Sequence, residues 1–158
     1  MLRPGSVRRR IAGFAAASML CWTTVVAGSE LDGRESPRAA FDHFIAAFNA
    51  LDWGAFRACF ADDATVFNPD IPEVPSLHRL DGRVEFERTF QAVFGAKHSP
   101  GIVPENVRVQ PFQDAAIITF EFRRPGNSFG RRTIVLHYEG KRWLIVHLHA
   151  SNAMGAAN

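Results

Sequence analysis

The stretch RRTIVLHYEGKRWLIVHLHASN, residues 131–152, decides the fold. Residues 133–138 are β-branched and aromatic, Glu139-Gly140 is close to the Asp-Gly hairpin signal, and residues 142–151 form a second β-rich run. Two antiparallel strands around a tight turn follow. Side chains alternate across a strand, so Trp143, Ile145, His147 and His149 are expected on one face and Leu144, Val146 and Leu148 on the other. One face is aliphatic and the other carries two imidazoles.

Working back along the chain, three more β-rich runs or breaks appear. Residues 103–112 and 115–124 read as strands, joined to each other at Gln113-Asp114 and to the hairpin through Pro125-Gly126-Asn127. The result is an antiparallel meander. Upstream the period changes to that of a helix. Ser36 caps a helix with Pro37 at its first position, and Phe41, Phe44, Ile45 and Phe48 form its apolar stripe. Asp52 caps a short second helix carrying Trp53, Phe56 and Phe60. A turn at Asp62-Asp63 leads into a short strand over 64–67, and Asn68-Pro69-Asp70 opens an irregular loop reaching Leu80. Asp81 caps a third helix ending near Gly95, with Phe86, Phe90, Val93 and Phe94 as its stripe. Helices first and strands later make an α+β domain, three helices packed on one face of a curved, mostly antiparallel sheet.

The chain has 158 residues, 47% of them hydrophobic, with 14 Phe, enough for one domain with a sizeable core plus a short extra segment. Four of its 18 basic residues (Arg3, Arg8, Arg9 and Arg10) and none of its 16 acidic ones lie in residues 1–28. The remaining domain is therefore slightly acidic, and nucleic acid is not an expected partner. Residues 1–28 read as a secretory signal: a basic start, an apolar run over 11–27, and Val26-Ala27-Gly28 as small residues before cleavage at Ser29. Export to the periplasm or outside the cell is the expectation, with no membrane attachment after cleavage. Residues 29–35 read as a polar linker, 36–152 as the domain and 153–158 as a frayed tail. Cys21 leaves with the signal, so Cys59 is left without an intrachain disulfide partner and reads as a buried structural thiol.

This order resembles the nuclear-transport-factor-2-like superfold over residues 36–152. FIAAFNALD at 44–52 and FADDATVFNP at 60–69 look like the first half of SnoaL-like and ketosteroid-isomerase-like proteins. KRWLIVHLHAS at 141–151 is similar to the end of the calcium/calmodulin-dependent kinase II association domain. The superfold hosts enzymes, binders and assembly modules, so the resemblance implies a fold and not a reaction. Ketosteroid isomerases use a carboxylate base and a Tyr–Asp oxyanion pair. The matching positions here are Phe44, Asn68 and Ile134, which cannot fill those roles.

The same resemblance implies that the concave sheet face lines a conical pocket. Placing Ile134 in it brings Arg132, Thr119, Glu121, Arg123, Ile145, His147 and His149 inward with Phe44 and Asn68. It leaves Ile118, Phe120, Phe122, Leu144, Val146 and Leu148 on an apolar outer face that implies a homodimer. A small polar or anionic ligand is the expected occupant, met by Arg123 and Arg132 as fork donors and by the histidines as titratable groups. The plainer alternative pairs Glu121 with Arg123 at a strand end. Two histidines are too few for a metal site, and neither metal nor cofactor is expected. A one-residue register shift would carry both histidines to the other face. The primary expectation is therefore a small-molecule binder. The alternatives are an isomerase, hydratase or hydrolase using Glu121 or a histidine, and a non-catalytic oligomerisation module.

Overall fold

The computed structural model describes residues 34–68, 79–95, 101–124 and 128–154. The signal over 1–28, most of the linker, the loop over 69–78, the Pro125-Gly126-Asn127 connector and the end of the tail lie outside them. Helix α1 (Pro37–Asn49) begins as its sequence dictates: the Ser36 hydroxyl accepts the Ala39 amide at 3.1 Å. Helix α2 (Trp53–Ala58) is capped in the same way by Asp52, which accepts from the Ala55 amide at 2.9 Å. Such caps satisfy amides that have no partner inside the helix and stabilise by roughly 1 kcal/mol each.

Strand β1 (Phe60–Phe67) starts earlier than the expected 64–67 and absorbs Asp62-Asp63, which are not a turn. Phe60 is therefore a strand residue. A short partner, β2 (Leu80–Asp81), leads into α3 (Gly82–Gly95). Asp81 does not act through its carboxylate as a cap: that group binds Arg79, while its amide donates to Glu85 Oε2 at 3.1 Å. Then come β3 (Glu105–Pro111), β4 (Ala115–Arg124), β5 (Ser128–Glu139) and β6 (Arg142–Met154).

The strands order as β2-β1-β6-β5-β4-β3. β1 and β6 run parallel and the other neighbouring pairs are antiparallel. The α+β architecture expected from the sequence, helices against one face of a mostly antiparallel curved sheet, is the one observed. The final hairpin turns at Gly140-Lys141, one residue later than expected, with φ of +56° and +72° and Glu139 paired to Arg142. Two successive positive φ angles give the turn whose twist suits a hairpin. β6 runs on through Ala153 and Met154, so the start of the expected tail is ladder.

Two register features position everything that follows. β5 begins at Ser128, three residues before the expected Arg131, and pairs Ser128 with Arg124. Ile118 then lies opposite Ile134, Phe120 opposite Arg132 and Phe122 opposite Gly130. Opposed residues share a face, so Ile118, Phe120 and Phe122 point inward with Ile134. The second feature is a bulge. Leu136 pairs with Ile145 but Val135 pairs with His147, leaving Val146 as an extra residue on β6. Trp143 and Ile145 point inward before it, and Leu148 and Ala150 after it, opposite Ile134 and Arg132.

The core is chiefly aromatic. Phe56 is 1% exposed and meets Phe44, Phe60, Phe86, Phe90 and Phe94 with ring centroids 4.8–5.9 Å apart. Phe41 on α1 reaches the sheet through Phe120 at 5.1 Å. Each such pair adds about 0.5–1.5 kcal/mol to simple burial. At the chain's near end, Trp143 Nε1 donates to the Glu35 carbonyl at 2.7 Å, and the Arg34 guanidinium lies 4.4 Å from the Tyr138 ring centre. The last two linker residues are therefore docked on the hairpin. Among the described residues no helix is long and apolar enough to cross a membrane.

Candidate functional site: an aromatic cone with a half-buried guanidinium

A cavity of about 260 Å³ opens between α1, α3 and the concave sheet face. Its apolar wall comes from Phe44, Phe48 and Phe56 on the first two helices, Phe90 and Val93 on α3, and Phe120, Phe122, Leu148 and Ala150 on the sheet. Ile102 closes one side. It is held by a pair of hydrogen bonds to the side-chain amide of Asn49 at the end of α1, both 2.8 Å. The polar groups are few: Asn68, Thr89, Asn152, and Arg132 with Arg123 and Arg124 at the rim.

Of the residues expected in the pocket, Phe44, Asn68 and Arg132 line it and Arg123 borders it. Arg123 is largely exposed, and its guanidinium pairs with Glu105 at 3.2 Å beyond the mouth. Ile134 and Ile145 point inward but are core, each 1% exposed. Thr119, Glu121, His147 and His149 are corrected to the outer face. For the histidines the reason is the Val146 bulge, which reverses the alternation after Ile145. For Thr119 and Glu121 it is the earlier start of β5, which makes Ile118 and Phe120 the inward pair positions. Ile118, Phe120, Phe122 and Leu148, assigned to a dimer surface, are likewise inside, which leaves Leu144 and Val146 of the six residues behind the homodimer expectation.

The outer face is mixed. Glu121 meets Arg131 and accepts from Asn106 Nδ2 at 3.1 Å. His147 Nδ1 lies 2.8 Å from the Thr65 hydroxyl, and the Phe67 ring sits 5.8 Å from His147 and 5.6 Å from His149. Partial burial holds His147 below the ordinary imidazole range, and the nearby His149 and Arg79 act in the same direction.

Among the described residues, Arg132 is the one charged side chain reaching well inside the cone. Its Nη1 donates to the backbone carbonyls of Ser151 at 2.9 Å and Arg131 at 2.8 Å. Its guanidinium carbon stands 4.8 Å from the Phe122 ring centre. Phe122 in turn lies over Gly130, where an added Cβ would meet the ring at 2.2 Å. Opposite Arg132 on β6 is Ala150, whose small side chain leaves room across the ladder. Burial, with a smaller contribution from Arg124, pushes the guanidinium pKa down to about 10, so Arg132 is still a cation at neutral pH.

A second hollow, of about 290 Å³, lies at the far end by Glu35, His43, Cys59 and Arg142. Burial, aided by Glu35, raises the Cys59 thiol to about 11, and its Sγ donates to the Ala55 carbonyl at 3.3 Å. A nucleophile needs the opposite shift. Among the described residues no three of His, Cys, Asp or Glu come together as metal ligands do.

The cavity-lining residues that periodicity did not assign to it were still visible as type. Ile118, Phe120 and Phe122 are the most apolar alternate set on β4, and a sheet covered by helices on one side turns that set inward. Gly130, in the middle of a strand, marks a close approach.

The SnoaL-like domain model matches residues 38–155, which includes the cone and every residue around Arg132. The chain belongs to the SnoaL-like family. No curated protein matches it. Among solved structures, this SnoaL-like chain is similar to a candidate calcium/calmodulin-dependent protein kinase type II association domain from Thiobacillus denitrificans (TM-score 0.64, 24% identity, covering 77% of this chain and 98% of that one). It is also similar to a candidate dehydratase of the NTF2-like family from Streptomyces avermitilis (0.61, 17%, 73% and 93%). A third is a candidate ketosteroid isomerase from Parabacteroides distasonis (0.56, 17%, 75% and 89%). Three kinds of protein on one scaffold show the fold, and the chemistry has to be read from this chain's own cavity.

Proposed function

We propose that this SnoaL-like protein is an exported binder that takes up one small molecule in its cone and does not transform it. The observation that carries the reading is the cavity's composition. It is open, aromatic-walled and about 260 Å³, and among its described lining residues there is no carboxylate, imidazole, thiol or phenol. Proton transfer requires such a group within hydrogen-bond reach of the substrate. The groups considered for that role, Glu121 and the two histidines, face away from the cavity and are engaged with Arg131, Asn106, Thr65 and Phe67. A pure assembly module has no use for an unfilled cone, whereas a binder does. The volume falls just under the ~300–1,000 Å³ of pockets for drug-sized ligands, which points to a compact occupant. Export rests on the residue pattern of 1–28.

The test is ligand-observed NMR with a library of aromatic fragments, on the wild type and on Val93→Trp, which narrows the cone from α3. Binding by the wild type and its loss in a folded Val93→Trp supports the reading. Fragments that bind both equally, or turnover of a bound fragment, would overturn it. Export is tested separately by the mass of the mature chain, which should begin at Ser29.

A further inference from the structure

Arg132 is held in an unusual position for a cation. Its neighbours along the strands have carboxylate partners on the outer face: Arg131 meets Glu121 and Arg123 meets Glu105. Arg132 points inward and meets none among the described residues. Its Nη1 is fixed by the two carbonyls of Arg131 and Ser151, and among the described residues Nε and Nη2 have no hydrogen-bond partner. Those carbonyls set the plane of the guanidinium, with the Phe122 ring beside it. The closest influence of the same kind is repulsive: Arg124, a second cation, lowers its pKa further after burial has done so. A half-buried charge is costly to keep without a partner. Among the described residues the cone supplies no anion and no base: apart from Arg123 and Arg124 at the rim, its lining is phenylalanine rings, aliphatic groups, the Thr89 hydroxyl and two amides, Asn68 and Asn152.

We propose that Arg132 is the carboxylate-recognition residue of this cavity, and that the ligand is a small organic acid with an aryl or short alkyl body. This deepens the binding reading and rests on it. The carboxylate meets the free edge of the guanidinium, whose planar fork suits two parallel hydrogen bonds. The apolar body extends toward Phe44, Phe48 and Phe90. Gly130 and Ala150 contribute shape: the first lets the Phe122 ring lie flat under the site, the second leaves the space the acid group enters.

The experiment uses 4-phenylbutanoate and its neutral counterpart 4-phenylbutanamide, titrated by calorimetry into the full-length chain. The two probes differ in charge and share the apolar body. The carboxylate should bind about 10- to 100-fold more tightly than the amide, the ratio expected of charge-assisted hydrogen bonds in a cavity. In Arg132→Gln that ratio should collapse toward one, with amide binding retained, and Arg132→Lys should keep part of it. Equal affinity of wild type for the two probes, or a ratio that survives in Arg132→Gln, overturns the inference while leaving the binding reading intact. No binding of either probe to the wild type overturns both. The wild-type comparison needs no substitution, so it stands whether or not a variant folds.

Discussion

Replacing Arg132 by methionine should make the protein more stable while depriving the cone of its cation. The guanidinium is pushed down from the ordinary arginine range to about 10 in the fold, chiefly by burial. At 1.36 kcal/mol per unit, the folded state disfavours the charged form by about 3 kcal/mol. Against this stand two hydrogen bonds from Nη1 to backbone carbonyls and the contact with Phe122, together on the order of 1–2 kcal/mol. Methionine replaces the apolar stem of the side chain and removes the charge. The net expectation is a gain of about 1–2 kcal/mol, a rise of roughly 3–8 °C in Tm for a domain of this size. The sign with pH follows from the depressed value. Above about 10 and up to the ordinary arginine value the unfolded chain binds the extra proton, so the wild type gains stability as pH rises through that window, and below it the penalty is constant. The advantage of Arg132→Met should therefore be the same at pH 6 and pH 9. Scanning calorimetry and guanidinium titration of both proteins measure it. A loss of 1 kcal/mol or more across that range would refute the reasoning. It would make the guanidinium a strut between β5 and β6, retained for the fold.

Other substitutions probe other parts of the same architecture. Gly130→Ala forces a Cβ to within 2.2 Å of the Phe122 ring and should cost about 1–3 kcal/mol by denaturant titration; an unchanged midpoint would mean that the ring moves freely. His147 is depressed below 6.5 by burial, with Thr65, Phe67, His149 and Arg79 around it. The unfolded chain takes its proton first, so the imidazole's contribution to stability is full above 6.5 and is lost as pH falls. The Tm of wild type relative to His147→Asn should accordingly drop between pH 7.5 and pH 5, and a rise on acidification would contradict the placement. Cys59, raised to about 11, should resist iodoacetamide at pH 8 in the folded protein and react once guanidinium unfolds it; rapid labelling of the native chain would show an open thiol.

The elements were legible because their determinants are local. Ser36 and Asp52 cap the helices that the phenylalanine spacing announces, and Gly140 marks the last hairpin even with the turn shifted by one residue. Fold class and family followed from that order. Register was less legible, because it depends on where a neighbouring strand begins. Ser128 and Gly130 are weak strand formers and follow a Pro-Gly-Asn break, yet Ser128, Phe129 and Gly130 pair with Arg124, Arg123 and Phe122, and their inclusion decides which residues of β4 face inward. The bulge left no local signal at all: Leu144, Ile145, Val146 and His147 read as unbroken alternation. Of the site, Phe44, Asn68 and Arg132 were reached from sequence because α1, the end of β1 and the middle of β5 lie clear of both irregularities. Asn152 and Ala150 were missed because both lie beyond the bulge.

Val146 also governs what kind of change could alter this interior. Substitutions along β6 exchange one side chain at a time, but drawing Val146 into the regular ladder opposite Val135 would rotate the whole remainder of the strand. His147, His149 and Ser151 would then look into the cone in place of Leu148, Ala150 and Asn152, and an apolar binding surface would gain two proton carriers in one step. Two homologous chains could thus share the HLHAS run letter for letter and hold opposite chemistry inside. Comparing such chains requires following the β5–β6 pairing past Ile145 before matching any histidine to a catalytic role.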